Sequence, residues 1–465
     1  MAYTEFYCDP VNGSNLAGGS DSGSPSMSDT AGTGSWTSST HVYVSVITSG
    51  SVAVGQFMAL YSGSATTPTT VARITAVSGG SGVAWTITLS NTAYAGTQPS
   101  SVATGSTYKA KVGGAWKGPN GATGFPLSFV TSGLTDASAH LTRVNLLNTA
   151  TYSITAAINA SNSGVFLIQG YSTSPGDGGR ATIDGGTSGT SYSLLTLSGG
   201  NVVLRDLIIQ NNGATGSADG IALTSGSNFL ERVTVNNIRG NGINSSGGAN
   251  IFVECEAYAC NKSNTVGAAG FQLSSPGDSA KRCIAHGNTG SNNDGFIVFS
   301  FATMDNCISA SNGLRGFEVS SGTTLISGCT AYNNGGDGIQ SNNGGSVVVI
   351  ENCLLVSNSA YGVNNTLGTS EVRVSNCAFY SNTSGQTHGT VDSTGAITLA
   401  SAPLTDPGNG DFSLVAGSTA LAGGRGVFEE ASASYSKVST SYPDVGAVQT
   451  IDAARNTGIL SGGAL

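Results

Sequence analysis

Between residues 201 and 390, apolar and polar positions alternate in short runs such as Val203-Leu204-Arg205-Asp206-Leu207 and Val372-Arg373-Val374-Ser375-Asn376-Cys377. Alternation over so few residues is the mark of strands with one face turned inward. The runs share a recurring phrase. Cys255, Cys283, Cys307, Cys329, Cys353 and Cys377 lie 28, 24, 22, 24 and 24 residues apart. An Asn follows each after five or six residues: Asn261, Asn288, Asn312, Asn334, Asn358 and Asn382. Further on comes a Gly, usually followed by an apolar residue, as in Gly270-Phe271, Gly295-Phe296, Gly316-Phe317, Gly338-Ile339 and Gly362-Val363, and more weakly Gly389. Two earlier copies carry Leu207 and Val233 at the cysteine position, with Gly220-Ile221 and Gly242-Ile243 downstream, giving eight copies in all.

A repeat of this length without a helix-length apolar pattern predicts a solenoid, and the missing leucine-rich consensus leaves a β-helical one. Each copy is therefore one coil of a parallel β-helix. Cysteine suits the interior because it is a small hydrophobe that stacks on its own kind. The Asn suits a tight corner, since it tolerates left-handed backbone. Stacked cysteines point in parallel rather than at one another, so buried free thiols are expected instead of disulfides. Metal ligation is not expected: no copy has a close CxxC spacing, and Cys255 and Cys260 lack a nearby His.

Outside the repeat the texture changes. Residues 1–35 open on Tyr7-Cys8-Asp9-Pro10-Val11-Asn12-Gly13 and turn Gly/Ser-rich. Cys8 is expected to pack under the first coil, having no base near it in sequence. From 36 to 111, the runs Val42 to Ile47, Val54 to Tyr61, Val71 to Val77 and Val83 to Leu89 predict a small antiparallel β insert. Trp36 and Trp85 fall inside it and Trp116 just after; core packing uses the large area of an indole best. The β-helix is expected over 112–400, with the stretch around Trp116 as its N-terminal cap, and a capping tail over 401–465.

Composition narrows the function. Charged residues make up 9% of the chain and Gly reaches 68 of 465, so polarity comes from Ser, Thr, Asn and backbone. A net charge of −9 without a basic patch argues against nucleic acid as a partner. No run approaches a membrane span, so no membrane insertion is expected. Met1-Ala2-Tyr3-Thr4-Glu5 shows neither a basic nor an apolar leader region, so no signal peptide is visible. No cofactor is expected.

The closing phrases Leu404-Thr405-Asp406-Pro407-Gly408-Asn409-Gly410-Asp411-Phe412-Ser413-Leu414, Ser418-Thr419-Ala420-Leu421 and Pro443-Asp444-Val445-Gly446-Ala447 resemble the C-terminal signature of bacterial and phage right-handed parallel β-helix repeat proteins. That superfamily also contains pectate lyases, polygalacturonases and phage tailspikes. The resemblance implies the fold; it implies no single activity, because the scaffold hosts enzymes, adhesins and structural proteins. Asn292-Asn293-Asp294-Gly295 resembles the polygalacturonase N-T-D-G motif with Asn for Thr. The companion Asp-Asp pair and the downstream His-Gly are missing, and His286-Gly287 comes before the Asp motif instead of after it.

Three columns could carry chemistry. The residues before the cysteine position, Asp206, Arg232, Glu254 and Arg282, then Asn306, Gly328, Asn352 and Asn376, are expected to face out, the first four as a charge ladder. The residues before the repeat Gly are Asp219, Asn241, Ala269, Asp294, Arg315, Asp337, Tyr361 and His388. Asp294 and Asp337, two coils and roughly 9.6 Å apart by strand spacing, with Arg315 between them, are the catalytic candidates, at the upper edge of an inverting-glycosidase separation. Against this, Asp-Gly is ordinary turn chemistry, and an Arg between two carboxylates is expected to lower both pKa values. Three residues past the cysteine, Tyr258, His286, Tyr332 and Tyr380 form a broken aromatic stripe suited to stacking on sugar rings. With its apolar neighbours, that stripe is expected either at a subunit interface or under the C-terminal tail.

The sequence is thus read as an all-β, right-handed parallel β-helix solenoid with an N-terminal antiparallel β insert and a C-terminal capping tail. The leading functional expectation is a phage virion surface protein (spike, fibre or decoration subunit). It is expected to form a homotrimer, contact other virion proteins and bind host polysaccharide. The alternatives are a polysaccharide lyase or glycoside hydrolase acting through Asp294, Arg315 and Asp337, and a bacterial surface adhesin.

Overall fold

A computed structural model of the chain describes residues 3–8, 27–47, 50–62, 65, 68–80, 82–113, 141–160, 166–299 and 301–420. Trp116 with its expected cap, and the closing phrases beyond Ala420, lie outside the described residues. Within them, every regular element is a strand except two single 3-10 turns, Pro99–Ser101 and Pro407–Asn409, and no helix is long and apolar enough to cross a membrane. The chain divides into two compact units, Met1–Gly186 with Leu194–Ile209 and Thr187–Ser193 with Gln210–Leu465.

In the first unit, Tyr3–Cys8 pairs in parallel with Leu141–Leu147, placing Cys8 opposite Leu146. Cys8 is buried, and its carbonyl accepts the Tyr152 hydroxyl at 2.8 Å. Between these two strands is inserted a closed barrel of Met27–Thr37, Val42–Val44, Val83–Gly96, Thr70–Gly80, Phe57–Ser62 and Gly105–Val112 in spatial order, with antiparallel neighbours. It starts at Met27, ahead of the composition change at 36. Closure leaves no exposed strand edge. Trp36, Tyr43, Met58, Leu60, Ile74, Trp85 and Ile87 fill the interior, so both described tryptophans serve packing. Leu141–Leu147 then pairs in parallel with Phe166–Tyr171, which pairs with the strand starting at Val202.

In the second unit each full coil contributes three short strands, and like strands stack in parallel. The leading stack runs through Ile251–Val253, Asp278–Lys281, Ala302–Asp305, Thr323–Ser327, Val347–Glu351 and Glu371–Ser375. The thiol stack follows each Cys: Glu256–Tyr258, Ile284–His286, Ile308–Ala310, Thr330–Tyr332, Leu354–Val356 and Ala378–Tyr380. The glycine stack holds Ile243–Ser245, Ala268–Leu273, Asn293–Val298, Phe317–Val319, Ile339–Ser341, Tyr361–Asn365 and Gly385–His388.

The six cysteines of the thiol column are buried and unbridged. Their thiols donate to carbonyls of the preceding coil, as from Cys307 to Ala280 at 3.4 Å and from Cys353 to Ile326 at 3.4 Å. Burial pushes the Cys255, Cys329 and Cys377 thiols well up from their ordinary range, which keeps them protonated and inert.

The corners differ from expectation. The residue before each cysteine position, from Asp206 and Arg232 through Asn376, takes left-handed backbone with φ between 50° and 60°. These positions are bends, and Asp206 is fully buried instead of outward. Of the expected charge ladder, Arg282 pairs with Glu254 on the adjacent coil at 2.9 Å; Arg232 also meets its chain neighbour Glu231 at 2.7 Å. A second left-handed bend falls at Ala259, Gly287, Ser311, Asn333, Ser357 and Ser381, one residue ahead of the Asn in every coil but the first, where Ala259 stands two ahead and Asn261 is itself left-handed as expected. That shift turns the Asn inward. Asn288, Asn312, Asn334 and Asn358 each donate Nδ2 to Oδ1 of the next Asn at 2.8, 3.0, 2.9 and 2.9 Å. In the first coil of this series Cys260 occupies the ladder position and donates its N–H to Asn288 Oδ1 at 2.7 Å; Asn261, aligned with the others by spacing, sits one residue beyond.

The repeat Gly completes the device. A Cβ at Gly316 would stand 2.9 Å from Asn334 Nδ2 and 2.5 Å from the carbonyl of Gly338, so only glycine lets the glycine stack close against the Asn ladder. After it, Phe271, Phe296 and Phe317 stack inside at 4.8 and 5.0 Å.

Candidate functional site

From each repeat Gly, strand alternation sends the second residue on to the outer face. Strand register aligns Asn244, Gln272, Ile297, Glu318, Gln340, Asn364 and His388 in one column there. Beside it runs the pre-glycine column, with a correction at its end: Tyr361 pairs with Gly385 and Asn364 with His388. His388 therefore belongs to the neighbouring column, and it stacks on Tyr361 at 4.6 Å.

The two columns interlock. One oxygen of each pre-glycine side chain accepts a backbone N–H from the next coil: Asp219 from Asn241 at 2.9 Å, Asn241 from Ala269 at 2.8 Å, Asp294 from Arg315 at 2.9 Å and Asp337 from Tyr361 at 2.9 Å. The second carboxylate oxygen turns toward the outer column. Asp219 Oδ2 accepts from Asn244 at 2.8 Å. Asp337 Oδ2 accepts from Gln340 at 2.9 Å and Asn364 at 2.8 Å, and Asn364 Oδ1 meets His388 Nδ1 at 3.1 Å.

The catalytic candidates are split by this arrangement. Arg315 turns to Asp294, 3.7 Å from its Oδ2, and to Glu318, which it contacts directly; Asp337 is held by amides. Glu318 also accepts from Ser320 at 2.7 Å and Asn342 at 3.0 Å. Burial pushes the Asp294 carboxyl up to about 7, against the Arg315 guanidinium and with the help of the Glu318 carboxylate. This reverses the expectation that Arg315 would lower it: the carboxyl is 1% exposed, and its lost hydration outweighs the attraction. Glu318, Gln340 and Asn364 were not singled out from the sequence, although counting two residues on from each Gly reaches all three.

Two polar atoms in the columns stand out, Asn244 Oδ1 and Gln340 Oε1, neither with a partner among the described residues. Gln340 is 8% exposed and its amide donates to Asp337. A buried acceptor left unmet costs free energy unless a donor arrives from outside. No group of three or more His, Cys, Asp or Glu suited to a metal occurs among the described residues.

The stripe three residues past the cysteines does face out, and the tail covers part of it. Leu399, Leu404, Phe412 and Ala420 pack on Ile308, Ala310, Leu354, Val356 and Ala378, with Tyr332 and Tyr380 at the margin. Phe412 meets Tyr332 edge-on at 5.9 Å. Of the two settings expected for the stripe, cover by the tail is found. Tyr258 and His286 lie beyond that cluster and stack on each other at 5.1 Å, and His286 Nε2 lies 3.0 Å from Glu256.

Residues 194–379 match the family model described as a right handed beta helix region. No curated protein matches the chain by sequence. Among solved structures, pectate lyase Pel9A aligns with a TM-score of 0.53 and 19% identity, over 68% of this chain and 93% of that one. The A-module of Azotobacter vinelandii mannuronan C-5 epimerase AlgE6 gives 0.36 and 13%, over 59% and 95%; Dettilon tailspike protein gives 0.37 and 14%, over 57% and 52%. Only the first is near enough to speak to architecture, and it speaks to architecture alone. Together with the three parallel stacks, the family-model match over 194–379 and the Pel9A alignment give the chain a right-handed parallel β-helix fold.

Proposed function

We propose that this chain is a non-catalytic, glycan-binding surface protein of a phage particle, and that the outer face of the glycine stack is its binding surface. The observation that carries the glycan reading is the pair of interlocked columns: planar amide and carboxylate groups, one or two per coil, with the unmet Gln340 Oε1 among them. Fixed planar polar groups repeated along a rigid surface suit a polymer of hydroxyl groups, because little side-chain entropy is lost on binding. The Tyr361–His388 stack supplies an aromatic margin. Catalysis is disfavoured because both oxygens of Asp294 and of Asp337 are engaged by protein groups. The particle assignment rests on the resemblance of the closing phrases.

A second reading, polysaccharide cleavage, is favoured by one feature. A carboxyl raised to about 7 beside a second carboxylate, Asp294 with Glu318, has the form of an acid/base pair. One experiment separates the two: incubate the full chain with purified surface polysaccharide of candidate host cells, then measure retention and polymer length. The binding reading expects retention, unchanged length, and loss of retention in Gln340→Arg but not in Tyr258→Ala. Shortening of the polymer that disappears in Asp294→Asn would replace it with the enzymatic reading. Sedimentation of the chain with intact particles tests the particle assignment.

A further inference from the structure

Resting on the glycan reading, we infer that the ligand of this face is a glycan free of carboxylate and sulfate groups. Two independent features of the face lead there. The first is charge: the columns carry Asp219, Asp294, Glu318 and Asp337 against Arg315, whose guanidinium is already taken by Asp294 and Glu318. Three of the carboxyl groups, Asp294, Glu318 and Asp337, lie on consecutive coils, and the chain as a whole carries −9. An acidic polymer laid along this face would set like charges side by side, and no free cation in the columns would offset them.

The second feature is hydrogen-bond polarity. The amides of Asn244, Gln340, Asn342 and Asn364 each give an N–H to a carboxylate of their own face. What remains unmet are two acceptors of the outer column, Asn244 Oδ1 and Gln340 Oε1, the latter on a side chain more than nine-tenths buried and flanked by Glu318 and Asn364. A face whose amides already give to its own carboxylates and whose unmet atoms are acceptors favours a ligand that brings donors. Hydroxyl and amide groups of an uncharged sugar do this; carboxylate and sulfate groups, which are acceptors only, do not.

The test is a glycan array of bacterial and plant polysaccharides, uncharged and acidic, probed with the full chain at low salt and again at 0.5 M NaCl (about a 4 Å screening length). Signals confined to uncharged glycans are expected, with acidic polymers at least about tenfold weaker at low salt and recovering partly at high salt as the repulsion is screened. The double variant Glu318→Gln/Asp337→Asn, checked by circular dichroism for retained fold, should narrow that gap. Acidic polymers bound as well as or better than uncharged ones would overturn this inference while leaving glycan binding intact. Retention of no glycan at all would overturn both.

Discussion

Two outer faces of the same coils have opposite fates. Along the thiol stack the outward side chains are apolar, Ile308, Leu354 and Val356 among them, and the chain's own tail closes over them. Along the glycine stack they are mostly polar, Glu318, Gln340 and Asn364 among them, and are held by neighbouring side chains such as Asp337, Ser320 and Asn342, while the amide oxygens of Asn244 and Gln340 are unmet among the described residues. Both faces hang from a single interior device, the thiol column and Asn ladder held against the repeat Gly. The difference teaches where stability and recognition are separated. Apolar area shielded by the tail contributes to folding, whereas the polar face contributes little net energy and is, under the proposed function, the one that meets a ligand.

The largest effect should come from breaking the covered face. Deleting residues 400–465 removes Leu404 and Phe412 from Ile308, Leu354 and Val356. At roughly 1.5–3 kcal/mol per large side chain returned to water, the loss should reach several kcal/mol. Chemical denaturation should show a lower midpoint, and a hydrophobic dye should bind the folded variant. The point variant Phe412→Ala should reproduce about 2–4 kcal/mol of this. An unchanged midpoint in both would mean that the tail is decoration.

Next comes the device shared by both faces. Asn334 receives from Asn312, donates to Asn358 and to the Ser309 carbonyl, and packs over Gly316. Asn334→Leu takes the Oδ1 acceptor from the backbone N–H and the Nδ2 of Asn312, and the Nδ2 donor from Asn358 Oδ1 and the Ser309 carbonyl, at about 1–3 kcal/mol for a buried group left unmet, and crowds the Gly. A loss of at least about 3 kcal/mol in equilibrium unfolding is expected, against less than about 1 for Asn382→Ala at the end of the ladder, where one Asn neighbour is lost instead of two.

This ladder also marks how much was legible in the sequence. The solenoid, its period, the inward thiols and the outward stripe followed from spacing, because strand alternation carries direction reliably over a few residues. What spacing could not give was the backbone at the bends. Left-handed positions occupied by Arg232, Glu254 and Ala259 carry none of the residue preference that marks Asn or Gly, since parallel hydrogen bonds on both sides impose the conformation. Hence spacing puts the Asn column on the corner when, Asn261 apart, it lies within, passes over Cys260 as its first member, and turns Asp206 outward. In the candidate site, Asp294, Arg315 and Asp337 were found by their charge. Glu318, Gln340 and Asn364 escaped because single polar residues in short strands look like solvent-facing filler until register aligns them.

A smaller effect belongs to pH and to the polar face alone. The Asp294 carboxyl titrates near 7 in the folded chain against an ordinary value of 3.8. Between those values the folded state holds a proton that the unfolded state has released, so this group's contribution to stability is full below about pH 4 and is lost as pH rises through 7. Asp294→Asn keeps an acceptor for the Arg315 N–H and removes the titration. Relative to the unsubstituted chain, its unfolding free energy should improve between pH 5 and pH 8, by on the order of 1–3 kcal/mol. A difference independent of pH would mean that Arg315 wins over burial.

The smallest change in stability should accompany the clearest change in recognition. Gln340→Met keeps the volume of the side chain in the outer column, removes the unmet Oε1, and takes one of two amide donors from Asp337 Oδ2, which keeps Asn364. Removing a buried acceptor without a partner is favourable and removing a donor from a carboxylate is unfavourable, each by about 1 kcal/mol. The two should cancel to within roughly 0.5–1 kcal/mol in denaturant unfolding. Glycan retention should nevertheless fall by about tenfold, the worth of one hydrogen bond to a sugar hydroxyl at 1.4 kcal/mol per decade. If instead the variant lost stability as Phe412→Ala does while still binding, Gln340 would be a strut of the coil, and the division of labour between the two faces would fail at the residue on which it most depends.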